Sequence, residues 1–173
     1  MSVKSKNKPP KTKSPKTTHP HMPGYGLPKS KKGLLPWKWA EDRLKKSRQY
    51  WIATTRPDGR PHLMVIWALW LDGKLYFTGK TSRKARNLAR NPNCMCTDDA
   101  AEAVILEGAI GTERDIKTIR EFLRIYEKKY KFDLSGMADD LLKLKEPVFY
   151  LRPKVAFGLW EKKFSTSATR WVF

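Results

Sequence analysis

"ATTRPDGRPHLMVIWALWLDGKLYFTGKTSRKARNLARNP", residues 53–92, changes its pattern several times within forty residues, and each change names an element. Pro57, Asp58 and Gly59 form a turn signal that ends a first strand over 50–55. The run 62–71 is almost wholly apolar, as a strand covered on both faces would be. Asp72 and Gly73 suit a two-residue hairpin, whose central positions need positive φ, and lead into a third strand over 74–78. After Gly79 the chain turns basic and helical. Thr81 or Ser82 serves as N-cap, Ala85, Leu88 and Ala89 form the inner face, and Asn91 with Pro92 stops the helix.

Working outward, "LLPWKWAEDRLKKSRQ" (34–49) reads as a helix with Pro36 near its first turn and Leu44 facing the core beside Trp37 and Trp39. Beyond residue 92 come strands over 93–98 and 103–112, flanking a polar loop at Asp98 and Asp99. A longer helix begins near Glu113, with Ile116, Ile119, Leu123, Tyr126 and Tyr130 at spacings of three and four. "LSGMADDLLKLKE" adds a shorter helix. "PVFYLRPKVAFGLWE" reads as a strand pair interrupted at Arg152 and Pro153, before a terminal "KKFSTSATRWVF". Short strands joined mostly by hairpins, without regular alternation of strand and long helix, predict a mainly β chain: a small antiparallel, Greek-key-like barrel with packed helices.

The 173 residues carry a net charge of +19, unevenly spread. Residues 1–33 hold nine lysines, no acidic residue and half of the 12 prolines, which leaves +10 on residues 34–173. Such a segment buries too little apolar surface to offset its ordering entropy, so 1–33 reads as a flexible basic tail and 34–173 as one folded domain. The tail is either a solvated extension or an arm for nucleic acid, whose phosphates release counterions to lysines. No apolar segment follows the early lysines as in a secretory signal, and no run of about 18 apolar residues would span a membrane. Cys94 and Cys96 read as small strand residues of a protein in the reducing cytoplasm. With His62 the sole other cysteine or histidine outside the tail, no metal site is expected.

Around the start of the 83–90 helix stand Lys80, Arg83, Lys84 and Arg86, where the helix dipole is already positive. A strand ending in Thr78, a glycine that lets the backbone turn closely, and then Ser82, Arg83 and Lys84 together suit a phosphate. The other reading of these cations is a solvated helix face.

The order of these elements, and "SRKARNL" above all, resembles the FMN-binding split-barrel superfamily that includes pyridoxamine 5'-phosphate oxidase. The resemblance covers about 36–173 and implies a split β-barrel and a flavin-dependent oxidoreductase acting on a small molecule. Ser82, Arg83 and Lys84 match the family's clamp on the FMN phosphate, with Thr78 helping from the strand end. Residues 62–67, among them Met64, Val65, Ile66 and Trp67, match the segment that lines the isoalloxazine ring and ribityl chain. The family implies a homodimer with the cofactor at its interface, and Arg170 and Trp171 of "SATRWVF" as residues that close the pocket. The Arg-x-His pair with which the oxidases hold their vitamin substrate is absent from that terminal segment, so the substrate is left open. A second branch, which binds the deazaflavin coenzyme F-420, is similar in "RQYWIATTRPDGRPH" and "SATRW". Its acidic tail suits a basic protein. In either branch the cofactor carries the chemistry, and no catalytic side chain is singled out. A basic nucleic-acid-binding module is the alternative from another class.

Overall fold

The computed structural model describes residues 14–79, 81–98 and 102–173. Its elements run β1 (Lys16–Thr18), α1 (Trp37–Lys46), β2 (Tyr50–Thr55), β3 (Pro61–Ile66), β4 (Leu69–Leu71), β5 (Lys74–Thr78), α2 (Arg83–Arg90), β6 (Asn93–Asp98), β7 (Glu102–Thr112), α3 (Ile116–Tyr130), α4 (Ser135–Leu142), β8 (Val148–Trp160), α5 (Phe164–Ser167) and β9 (Thr169–Val172). Pairing is antiparallel throughout, in the order β1-β9-β8-β7-β6-β2-β3, with β5 on the first part of β8 and β4 beside β5. The sheet curls but is not closed by hydrogen bonds: β3 and β4 follow one another in the chain yet pair with different neighbours. This is the antiparallel split barrel with packed helices.

The opening lies inside the apolar run 62–71, expected as one strand. It divides at Trp67 and Ala68, because β3 pairs with β2 whereas β4 pairs with β5. Ala68 loses both strand partners there, and the Tyr130 hydroxyl replaces them. Ala68 N–H donates to it at 2.9 Å and it donates to Ala68 O at 2.8 Å, while Lys129 Nζ adds a 3.1 Å bond to the same carbonyl. Asp72 (φ 46°) and Gly73 (φ 74°) form the expected hairpin.

The opposite adjustment occurs in β8, which is one strand instead of an interrupted pair. Glu107 faces Val155 and Gly108 faces Pro153, so Lys154 is extra and forms a bulge. Pro153 has no N–H to give a ladder, and a bulge is where a strand tolerates that. A Cβ on Gly108 would stand 2.1 Å from Arg152 O, so only glycine fits opposite.

Two cores result. One fills the barrel beneath α1 with Leu44, Tyr50, Ile52, Phe77, Leu106 and Trp171. The other lies under α3, where Ile119, Phe122, Tyr126 and Tyr130 meet Leu69, Tyr76, Leu141 and Val148. Phe122, between the expected stripe positions, is fully buried, and Leu123 packs at the margin. Among the described residues no helix is long and apolar enough to cross a membrane.

The expected boundary at residue 33 does not mark the edge of ordered structure. β1 pairs with β9, the His19 ring bonds Ala168 O through Nδ1 at 2.8 Å, and Gly33 (φ +88°) sits against Thr166. Composition describes side chains, whereas what recruits this arm is the free backbone edge of β9. Residues 1–13 of the expected tail lie outside the described residues, as do Lys80 and Asp99.

Candidate functional site

The site grows from Ser82. Its side chain caps α2 by accepting Ala85 N–H at 3.3 Å, and its hydroxyl donates to Gly79 O at 3.0 Å. The chain is thereby folded tightly between the end of β5 at Thr78 and the first turn of α2. Gly79 has φ +142°, and a Cβ there would stand 2.2 Å from Lys84 Nζ. The missing side chain leaves room for the ammonium. Lys84 is 5 % exposed, and its hydrogen-bond partner is Ser82 Oγ at 3.3 Å. Among the described residues no carboxylate pairs with it, and burial pushes its pKa below the usual lysine value. Arg83, one position earlier, is exposed.

Sequence reasoning placed His62 only within the 62–67 segment that the resemblance implies and missed the rest of this half of the cluster. Asn87, buried on α2, donates through Nδ2 to Thr54 Oγ1 of β2 at 2.9 Å. Thr54 Oγ1 in turn lies 3.3 Å from His62 Nδ1 on β3. Burial lowers the His62 pKa first, and the charges of Arg56, Arg83 and Lys84 lower it further. Arg56 has a buried Nε with no hydrogen-bond partner among the described residues. The β2–β3 hairpin thus delivers Arg56 and His62 beside the start of α2. "TTRPDGRPH" carried the signal, a cation and an imidazole flanking a tight turn. Only the packing of α2 on β2 joins them to "SRK". Ala89, expected on the inner face of α2, is exposed, while Lys84 and Asn87 are buried.

Thr54 also lines a hollow of about 490 Å³, with Pro61, Asn93, Cys94, Glu107 and Lys154 among its walls. Burial pushes the Cys94 thiol up to about 12 and Cys96 well above the ordinary range, so neither is a thiolate near neutrality. Among the described residues no group of three or more His, Cys, Asp or Glu could hold a metal ion.

The remaining expected site residues are dispersed. Burial alternates along β3: Met64 packs against the barrel core, Val65 points to the outer face and Ile66 is core, so successive residues do not share one side of the strand. Trp67 lies roughly 15 Å beyond His62 at the rise of an extended strand. Its ring, 39 % exposed, stacks on Tyr130 at 4.7 Å and an interplanar angle of 4°. Trp171 was expected to close a pocket. It is fully buried, edge-on to Trp37 at 5.3 Å and pressed over Gly158, because β9 is the strand that roofs this end of the core. Arg170 is half-buried on β9 opposite Thr18 and Phe157. Thr78 pairs with Val148, so within one chain Arg170 lies roughly 30 Å away along β8.

Comparison with known proteins places this geometry. The crystal structure of a conserved hypothetical protein from Mycobacterium tuberculosis superposes with TM-score 0.62 at 21% identity, over 75% of this chain and 88% of the other. An F-420 reductase gives 0.52 at 23% identity, over 67% and 94%. An FAD-binding protein from Mesorhizobium loti gives 0.56 at 16%, over 80% and 96%. No curated protein matches the sequence. The family described as pyridoxamine 5'-phosphate oxidase matches residues 37–151, which hold α1 through the first part of β8 and every residue of the cluster above. The chain therefore belongs to the pyridoxamine 5'-phosphate oxidase family, a flavin-binding split-barrel family.

Proposed function

We propose that this chain is a flavin-dependent oxidoreductase that works as a homodimer. It would hold FMN by its phosphate at Thr78, Gly79, Ser82, Arg83 and Lys84, and pass hydride to or from a small molecule. The observation that carries this reading is Lys84. A buried ammonium whose hydrogen-bond partner among the described residues is a hydroxyl is costly, and an anion brought against it would offset that cost. The orphaned Nε of Arg56 and the exposed Arg83 suit the same anion. Fold relatives named as an F-420 reductase and an FAD-binding protein are in keeping with it.

When bound, a flavin supplies the hydride chemistry. The chain's own part is to anchor the phosphate at the start of α2, to orient what lies beyond it and to exclude water. A second copy would serve the last task. Trp51, Leu63, Val65 and Met95 stand exposed on one face of β3, β2 and β6, where Trp51 faces Val65 and Ala53 faces both Leu63 and Met95. A deazaflavin is the second reading. Arg83, Arg86 and Arg90 lie exposed along α2 without a carboxylate partner among the described residues, which suits a cofactor with an acidic tail.

The test is Arg83→Ala with Lys84→Ala, read by visible absorbance and by the mass of any molecule released on unfolding. Charge-assisted contacts contribute about 1.5–3 kcal/mol each, so the double variant should bind about two to four orders of magnitude more weakly. Far-ultraviolet circular dichroism should be unchanged. Full cofactor content in the folded variant would remove the site assignment, and the released mass separates FMN from a deazaflavin.

A further inference from the structure

Three contacts link His62, through Thr54, to Asn87 on α2. An amide nitrogen can only donate, so Asn87 Nδ2 gives its hydrogen to Thr54 Oγ1 at 2.9 Å. The Thr54 hydroxyl then has its own proton to give, with His62 Nδ1 at 3.3 Å and His62 O at 3.4 Å in reach. Where the hydroxyl donates its hydrogen bond to Nδ1, the ring N–H stands on Nε2 and the imidazole is neutral; where it donates to His62 O, Nδ1 is free to carry a hydrogen and donate to Thr54 Oγ1. The charged groups around the ring are Arg56 from the β2–β3 turn and Arg83 and Lys84 from α2. Asp58, on the same turn, is taken up by Arg60. No ion pair joins Arg56, Arg83 or Lys84 to a carboxylate among the described residues.

We propose that His62 couples anion binding at this site to the uptake of one proton: it is a neutral donor while the three cations stand unneutralised, and an imidazolium once a dianion lies among them. This rests on the phosphate-site reading above and adds to it a proton-linked ligand contact. The three cations oppose a fourth positive charge beside them, and desolvation acts in the same direction. A doubly charged ligand reverses the sign of the local field. By reciprocity, a ligand that raises the proton affinity of His62 must itself bind more tightly when His62 is protonated. The ring is then both a hydrogen-bond donor in the resting site and a charge in the loaded one. Phosphate monoesters in their dianionic form are the ligand class this arrangement takes.

Inorganic sulfate is the probe, because it stays doubly charged across the window in which histidine titrates, between about pH 5.5 and 8. Titration calorimetry of the full chain, in two buffers of different ionisation enthalpy, counts the protons taken up. Sulfate affinity should rise as pH falls, by at most about tenfold per pH unit, the slope of one proton. His62→Gln should still bind sulfate but take up none, and the imidazole resonances absent from that variant should titrate at higher pH in wild type when sulfate is present. Proton uptake that persists in His62→Gln would move the effect to Lys84 and overturn the proposal. Sulfate binding by wild type without proton uptake would overturn it while leaving the phosphate site intact. No sulfate binding at all, or binding indifferent to Arg83→Ala with Lys84→Ala, would overturn the site and this inference together.

Discussion

Asp98 is a carboxylate that the fold would prefer neutral. It ends β6 with 3 % of its surface exposed, accepting Val104 N–H at 2.7 Å and the Ser47 hydroxyl at 3.0 Å. Desolvation outweighs those bonds and raises its pKa. A raised folded-state pKa means that the group's contribution is fully present below its unfolded value and is lost as pH rises through the folded one. In Asp98→Asn the amide oxygen can accept from Val104 and the amide nitrogen can donate to Ser47. The stability of wild type relative to this variant should therefore fall as pH is raised from about 4 towards neutrality, measured by urea unfolding at a series of pH values. Local residues of this kind are legible where a side chain serves its own neighbourhood. Ser82 was readable as an N-cap because cap and helix are adjacent in the chain. Trp171 was not, since an aromatic ring beside an arginine looks alike whether it roofs a core or closes a pocket. What separates the two cases is β8 passing beneath it, with Gly158 leaving space for the ring.

Elements were legible in proportion to how local their punctuation is. β2 and β5 fall at the expected residues because Pro57-Asp58-Gly59 and Asp72-Gly73 bracket them. The division between β3 and β4 was hidden, because an apolar run carries no mark of where the strand changes partner. Arg152 and Pro153 misled in the other direction, a bulge reading like a break. The hidden division predicts where the sheet is vulnerable. In Tyr130→Phe the Ala68 carbonyl keeps Lys129, but the buried Ala68 N–H loses its acceptor. The cost should be about 1–3 kcal/mol, seen as a lower denaturant midpoint at unchanged slope. A midpoint equal to that of wild type would mean that Ala68 is satisfied in some other way.

At the scale of the whole molecule, the sheet face that carries Trp51, Leu63, Val65 and Met95 offers a test of the proposed homodimer. Leu63 is 59 % exposed, so Leu63→Glu should change the stability of a single chain by no more than about 0.5 kcal/mol. Against a second copy it would bury an unpaired carboxylate, and light scattering should then give about half the wild-type mass. A dimeric mass unchanged by Leu63→Glu would place the partner elsewhere. The fold class was readable from the whole pattern of strands and turns, and Ser82, Arg83 and Lys84 could be named as a candidate cluster from their motif. Thr54, Arg56 and Asn87 could not, and His62 entered only with the 62–67 segment, because their meeting depends on a hairpin packing on a helix about twenty residues later, a distance that local reading does not bridge.

β1 on β9 also sets an order in time. Lys16 pairs with Val172, so the arm emerges during synthesis long before any of its partner strand exists. At about 5–20 residues per second, the roughly 150 intervening residues take on the order of 8–30 s to make. Through that interval Lys16–Thr18 has no partner strand, and the barrel lacks the Trp171 ring that fills its core. The strand that gives β1 its partner therefore also brings the ring that completes the core, so the arm can join the sheet only when the barrel can fill.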